Sequence, residues 1–489
     1  ITRLRFYLSL MTEQKVNLSS PNFGIVPLPY LDTKFLCVDS LSTCKATLNS
    51  NEVQNMVSMR EGYYDATEIT GYTTALDSIS GTLSNVLTDS CINVEEDGIR
   101  EWLKDPQQNL GVYKTSLLFP EVRNGFDIVI GNPPFGAIMS ESEVETYKKE
   151  YSSTIAESAI FFILMAIREL KTKGILTFLA PKPMSYASNY KVLREKLKNE
   201  LTLWVDCGKA FKDVKFEQSI IGLRKGVTSS FYQNKKYDKK TFIEISNIEK
   251  SNIDRFELFL NDVSNTEILI ANNMNDGSTP FGNISSNTRG QGLQSQMSES
   301  GCYPVYGGKE ISRFGILSAK GFVNEQIEGN AVVLPDSLLF QNIVAHIENP
   351  YPHVKLIGCL APSSTAYIVD TVNQIVVDEG YSSEYIWGLL NSKLLCWYVY
   401  CFIYGRAIRT MHFDTVATKR IPIKKTDDYC KLVDCVSEIH ENFRNGLPIK
   451  DLEDKLDMWV YKIYGLTYEQ CLVIDPLLSF TKEDYESLN

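Results

Sequence analysis

The sequence predicts an α/β chain: an open, largely parallel sheet first, a smaller mixed α/β module after it, and helices at the end. Three observations carry this. Short apolar runs such as Phe126-Asp127-Ile128-Val129-Ile130 and Gly174-Ile175-Leu176-Thr177-Phe178-Leu179 alternate with stretches of helical apolar spacing, the pattern of strands buried on both faces of a parallel sheet. After Gly277 the runs shorten and glycine-rich turns multiply. From residue 428 the spacing is helical, with an apolar stripe through Leu456, Val460, Ile463 and Tyr464.

A length of 489 residues is enough for two or three domains. The composition, 44% apolar and 22% charged, is that of a globular protein. No signal peptide and no apolar run long enough to span a bilayer is visible, so a cytoplasmic chain without a membrane partner is expected. The 11 cysteines are odd in number and form no CxxC pair, which points to reduced thiols rather than a disulfide framework or structural zinc. His346, His353, His412 and His440 make no ligand pattern, and no metal is expected. A net charge of −11 does not advertise nucleic-acid binding. Such binding needs only a local basic face, however, and Lys and Arg outnumber Asp and Glu from Arg168 to Lys250.

In chain order, ITRLRFYLSLM opens the sequence with helical spacing and no N-terminal cap. Lys34-Phe35-Leu36-Cys37-Val38 reads as a buried strand ending at Asp39-Ser40-Leu41. Residues 42–115 are mixed and polar, with candidate short helices around 50–60 and 73–88, and read as an insertion. They hold no convincing nuclease constellation of carboxylates and lysine. Glu157 to Arg168 is a strongly apolar helix. The strand 174–179 ends at Ala180-Pro181-Lys182-Pro183-Met184, and Tyr190 to Glu200 is a charged amphipathic helix. Leu203-Trp204-Val205-Asp206 is a further strand, joined through Cys207 to Asp213 to another at 219–225. The domains expected are 1–230, a linker region with a few strands at 231–276, a second domain at 277–427 and terminal helices at 428–489.

The chemistry concentrates where Gly131 breaks the strand 126–130 and Asn132-Pro133-Pro134-Phe135 follows. Ligands of open α/β sheets bind at this carboxyl edge. Two prolines with fixed φ and no N–H make the turn stiff. An exocyclic aromatic amine, such as the N6 amine of adenine, is a poor nucleophile because its lone pair is delocalised. Two acceptors, the Asn132 side-chain oxygen and the Pro133 carbonyl, would draw the nitrogen toward tetrahedral geometry and localise that pair toward an incoming methyl group. Phe135 would stack on the extruded base. An ordinary proline-capped turn carries the same four letters.

FDIVIGNPPF resembles motif IV of the S-adenosylmethionine-dependent adenine-N6 DNA methyltransferases. More narrowly, the chain resembles the TaqI-like amino-methyltransferases and the methylase-plus-specificity part of type IIG restriction–modification enzymes. Leu118-Phe119-Pro120-Glu121-Val122 before the strand is typical of that group. The resemblance implies a partial Rossmann-like class I methyltransferase sheet over 1–230, with its helical insertion at 42–115, and a target-recognition domain over 277–427. It makes Asp39 and Ser40 cofactor-binding residues, although an Asp in that place also simply opens a turn. Phe162 falls where the family sets a ring against the cofactor adenine, and is equally well a core phenylalanine. Phe211 corresponds to the loop ring beside the flipped base, and Lys209, Lys212 and Lys215 suit DNA phosphates, or a solvated loop. Arg289, Lys309, Arg313, Arg406 and Arg409 are candidates for base contacts in the major groove.

One expected feature is missing: no glycine-rich strand-to-helix turn precedes residue 39. The resemblance therefore implies a methyltransferase truncated at its N-terminus, a poor binder of S-adenosylmethionine alone. Double-stranded DNA is the expected partner, with a restriction subunit or fused nuclease domain as a further one. Two alternatives stand beside this: a non-catalytic DNA-binding fragment, and a methyltransferase for a protein amide or RNA base nitrogen. The latter families generally lack so long a C-terminal domain.

Overall fold

The computed structural model describes residues 2–488 apart from 67, 91, 93, 106, 107, 212, 213, 215, 410 and 428. The backbone separates into two units, Ile1–Phe178 with Arg224–Val227, and Leu179–Leu223 with Thr228–Asn489.

Helices dominate the first unit: α1 (Thr2–Glu13), α2 (Ser50–Tyr64), α3 (Ile69–Asp89), α4 (Glu96–Lys104) and α5 (Thr115–Leu118). Asn49 starts α2 by accepting the N–H groups of Asn51 and Glu52, and the Glu52 side chain returns a bond to the Asn49 N–H. The apolar faces of α2 to α4 bury Met56, Tyr63, Leu76, Ile79, Leu83, Ile99 and Trp102 in one cluster. The helices expected around 50–60 and 73–88 are thus α2 and α3.

The apolar run 34–38 is not a strand. Leu36 and Val38 pack against the helical cluster. The Cys37 carbonyl accepts from Trp102 Nε1 at 2.7 Å and from the Leu110 N–H at 3.2 Å. Its burial comes from the insertion helices rather than from sheet neighbours.

The strand β1 (Phe126–Gly131) is followed by α6 (Glu141–Tyr151), α7 (Ser158–Glu169) and β2 (Leu170–Pro181), which carries the chain into the second unit. The two strands run parallel, with Ile128 opposite Ile175 and Gly131 opposite Phe178, as a strand–helix–strand crossover requires. The expectation that β1 is buried on both faces fails. Ile128 is 64% and Ile130 78% exposed, because β1 is an edge strand that pairs with β2 alone among the described residues.

In the second unit, α8 (Lys191–Leu197) leads into β3 (Leu201–Gly208) and β4 (Gln218–Arg224), an antiparallel pair. β5 (Phe231–Tyr237) lies parallel to β3, and β6 (Phe242–Glu249) antiparallel to β5. The stretch 231–276, expected as a linker region with a few strands, therefore extends the sheet of β3 before its two helices, Ser251–Phe256 and Asn265–Asn275. The architecture is mixed α/β with parallel strand pairs. Farther on, short strands Ser285–Arg289, Leu338–Gln341, Gly358–Leu360 and Val372–Val377 form an antiparallel sheet. The buried helices Ser383–Asn391 and Lys393–Phe402 follow. Leu456, Val460, Ile463 and Tyr464 are buried on the terminal helices as the apolar stripe predicts. Among the described residues no helix is long and apolar enough to cross a membrane.

Candidate active-site rim and basic loops

The turn after β1 is held by a residue the sequence reading missed. Ser158, 1% exposed at the start of α7, donates its hydroxyl to the Pro134 carbonyl at 2.7 Å. It accepts the Ala137 N–H at 3.2 Å. One side chain thus ties down both ends of the Pro134–Ala137 bend. The only sequence signal was a small hydroxyl residue at the head of an otherwise apolar helix, in the place favoured for local side-chain-to-backbone bonding. At the other end of the turn, a Cβ on Gly131 would come within 2.9 Å of the Phe178 ring. Glycine leaves room for that ring, which lies over the end of β1.

So fixed, Asn132 is exposed, Pro133 buried, Pro134 exposed and Phe135 half-buried. Neither the Asn132 amide nor the Pro133 carbonyl is bonded to another described residue. The turn therefore holds two acceptor oxygens that no described residue bonds, one on exposed Asn132 and one on buried Pro133, with a partly open ring at Phe135.

Asp39 and Ser40 are half-buried in the same unit. Asp39 Oδ1 accepts the Leu41 N–H at 3.2 Å and its carbonyl accepts the Ser42 N–H at 3.2 Å, so this aspartate does open a turn. Its other carboxylate oxygen is bonded by none of the described residues. The segment packs on α6: Tyr151 donates to the Leu41 carbonyl at 3.4 Å and Thr43 to Glu150 at 3.0 Å. Tyr147 of α6 has its phenol pKa raised by burial and by the nearby Asp39 carboxylate. Tyr147 in turn meets Phe161 of α7 edge-on, with centroids 5.5 Å apart. Phe161, fully buried, is the core phenylalanine, and its neighbour Phe162 is half-buried. The Asp39 turn, α6, the head of α7 and the Asn132 turn are thereby linked through packed contacts.

Lys209 and Phe211 lie in the second unit, on the β3–β4 connection. Lys209 is exposed and Phe211 is 50% exposed, as is suited to an intermolecular contact. Lys212 and Lys215 lie outside the described residues. Phe216 on the same connection, 62% exposed, was not singled out from sequence.

Of the cations expected to read bases, Lys309 and Arg409 are exposed. Arg289 is exposed but bonded to the Asp370 carbonyl. Two are not available. Arg313 is bound to Glu453 and, at 2.7 Å, to the Asn391 carbonyl. Arg406 pairs with Glu267 and lies 3.8 Å from Asp262. Both are partly buried ion pairs that tie separate elements together, a distinction a single charged letter does not carry.

Residues 1–211 match the model of the Eco57I restriction-modification methylase family. Over 79 residues, 16% of this chain, it is 33% identical to a protein of Methanocaldococcus jannaschii described as a type II restriction enzyme and methyltransferase, and that stretch is 7% of the relative. Among solved structures it is similar to the type IIL restriction-modification enzyme MmeI in complex with DNA, with TM-score 0.45 and 12% identity over 84% of this chain and 64% of that one. It is also similar to the type IIG restriction endonuclease BpuSI, with TM-score 0.31 and 10% identity over 89% and 67%. The matched stretches span only part of the length of these relatives.

Proposed function

We propose that this chain contributes to a site-specific DNA methyltransferase of a restriction–modification or phage-defence system, transferring a methyl group from S-adenosylmethionine to the N6 amine of adenine. The observation that carries the reading is the pair of unbonded acceptors, the Asn132 amide oxygen and the Pro133 carbonyl, on a turn that Ser158 and two prolines hold rigid. Each would accept one N–H of the base amine. The nitrogen lone pair would then face away from both oxygens, toward the methyl donor. Phe135 would lie against the extruded ring. S-adenosylmethionine supplies an electrophilic methyl on a sulfonium, and neither a metal nor a covalent intermediate is required. Asp39, Ser40 and Phe162 fit its adenosine end, as a carboxylate with an uncommitted oxygen, a hydroxyl and a half-open ring. Phe211 and Lys209 would contact the DNA.

The family matched by residues 1–211 supports the methylase reading. The test is methyl transfer from labelled S-adenosylmethionine to duplex DNA by the chain together with the products of its neighbouring genes. Asn132→Ala should abolish transfer, leave DNA binding in place, and change stability by no more than about 0.5 kcal/mol, since the side chain is exposed and unbonded. An Asn132→Ala protein that still methylates at the wild-type rate removes the mechanism.

A further inference from the structure

Lys182 is 2% exposed. Its ammonium reaches Asp206 Oδ2 at 2.8 Å, Glu217 Oε1 at 3.2 Å and the main-chain carbonyl of Arg406 at 2.8 Å. The other oxygen of Glu217 accepts the Ile408 N–H at 2.8 Å, and the other oxygen of Asp206 accepts the Gly208 N–H at 2.9 Å. Burial disfavours the ammonium, but the two carboxylates outweigh it and hold its pKa above the ordinary lysine range.

The cluster has two sides. Asp206 near the end of β3 and Glu217 just before β4 stand at the two feet of the 208–217 loop, which carries exposed Lys209, Phe211 and Phe216. Opposite is the 405–409 loop. There Gly405 takes φ +54°, and a Cβ on it would meet the Asn261 amide nitrogen at 3.2 Å. That loop ends in exposed Arg409. One buried cation and two buried anions are tolerable only when their remaining hydrogen-bonding capacity is used, and two of the groups that use it, the Arg406 carbonyl and the Ile408 N–H, are main chain of the second loop. The lock therefore depends on where that loop lies and not on which side chains it carries.

We propose that Lys182 is a positioning residue: with Glu217 it fixes the 405–409 loop against the 208–217 loop, so that Arg409 and the Lys209–Phe211–Phe216 edge form one DNA-contacting surface in a set register. This rests on the reading of the chain as DNA-binding. It gives the 406 and 408 side chains no direct part in selectivity and gives Arg409 one.

The test selects bound duplexes from a pool with a randomised centre, using the full chain, and needs no methyl transfer. Wild type should enrich a defined sequence, and Arg409→Ala should relax the preference at particular positions. Glu217→Gln keeps the side-chain volume and an acceptor oxygen, and leaves Lys182 and Asp206 as a neutral pair. It should lose discrimination at those same positions by about tenfold, while binding to the unselected pool stays within about twofold and keeps its salt dependence. Lys182→Met is made in parallel with its thermal melting recorded; if it does not fold, Glu217→Gln alone decides. A Glu217→Gln protein as selective as wild type, or an Arg409→Ala protein with unchanged preference, overturns the proposal while leaving DNA binding intact. A wild-type chain that retains no duplex at low salt overturns the DNA reading and this inference with it.

Discussion

At the scale of single residues, the rim is built by constraint more than by attraction. Ser158 contributes one buried donor, and Gly131 contributes the absence of a side chain. Ser158→Ala should cost about 1 kcal/mol in chemical denaturation, the worth of one such hydrogen bond. It should also slow methyl transfer more than it weakens DNA binding, because the Pro134–Ala137 bend loses its fastening. Gly131→Ala puts a methyl 2.9 Å from the Phe178 ring, so one of the two must shift. A loss of about 1–3 kcal/mol is expected from such overpacking, read as a shift in urea midpoint. The Asn-Pro-Pro-Phe letters were legible in the sequence because their geometry is local: prolines stiffen whatever turn they occupy. Ser158 was not legible, because its role exists only when a helix start arrives beside that turn. Arg313 and Arg406 show the converse, cations whose letters suggested a surface role until their carboxylate partners came into view.

At the scale of elements, two apolar runs of similar letters had different fates. Phe126–Ile130 is a strand and 34–38 is not, although both are short and rich in apolar residues. A short run carries no periodicity to separate a strand from a segment pressed against helices; Leu36 and Val38 found helices first. Even the strand was misjudged in its surroundings, since what covers a face is decided by neighbours the run does not name. Ile130, 78% exposed on an unpaired edge, should tolerate Ile130→Lys within about 0.5 kcal/mol. That variant should also remain monomeric to higher concentration in sedimentation, a charge on an open edge being a natural block to edge-to-edge pairing.

At the scale of the whole molecule, under the proposed DNA-binding reading the acidic balance of −11 leaves contact to local cations, so binding should fall steeply with added salt. Stability should also follow pH through the terminal helices. Asp457 accepts the Lys393 N–H at 2.8 Å, and its burial raises its pKa from 3.8 to about 6. Between those values the folded chain holds a proton that the unfolded chain has released, so stability declines as pH rises through the window. Asp457→Asn keeps the acceptor and removes the titration. Its unfolding free energy, from urea titrations, should gain on wild type from pH 4 to pH 6 by on the order of 2 kcal/mol.

The seclusion of the Lys182 amine has a use at the bench. Reductive alkylation modifies unprotonated amines wherever reagent can reach them, and this one, at 2% exposure, is reached only when its surroundings open and its carboxylate partners part from it. The rate at which mass spectrometry finds that single site tagged would therefore report the fraction of time the site stands open, and cognate duplex added to the reaction should lower it.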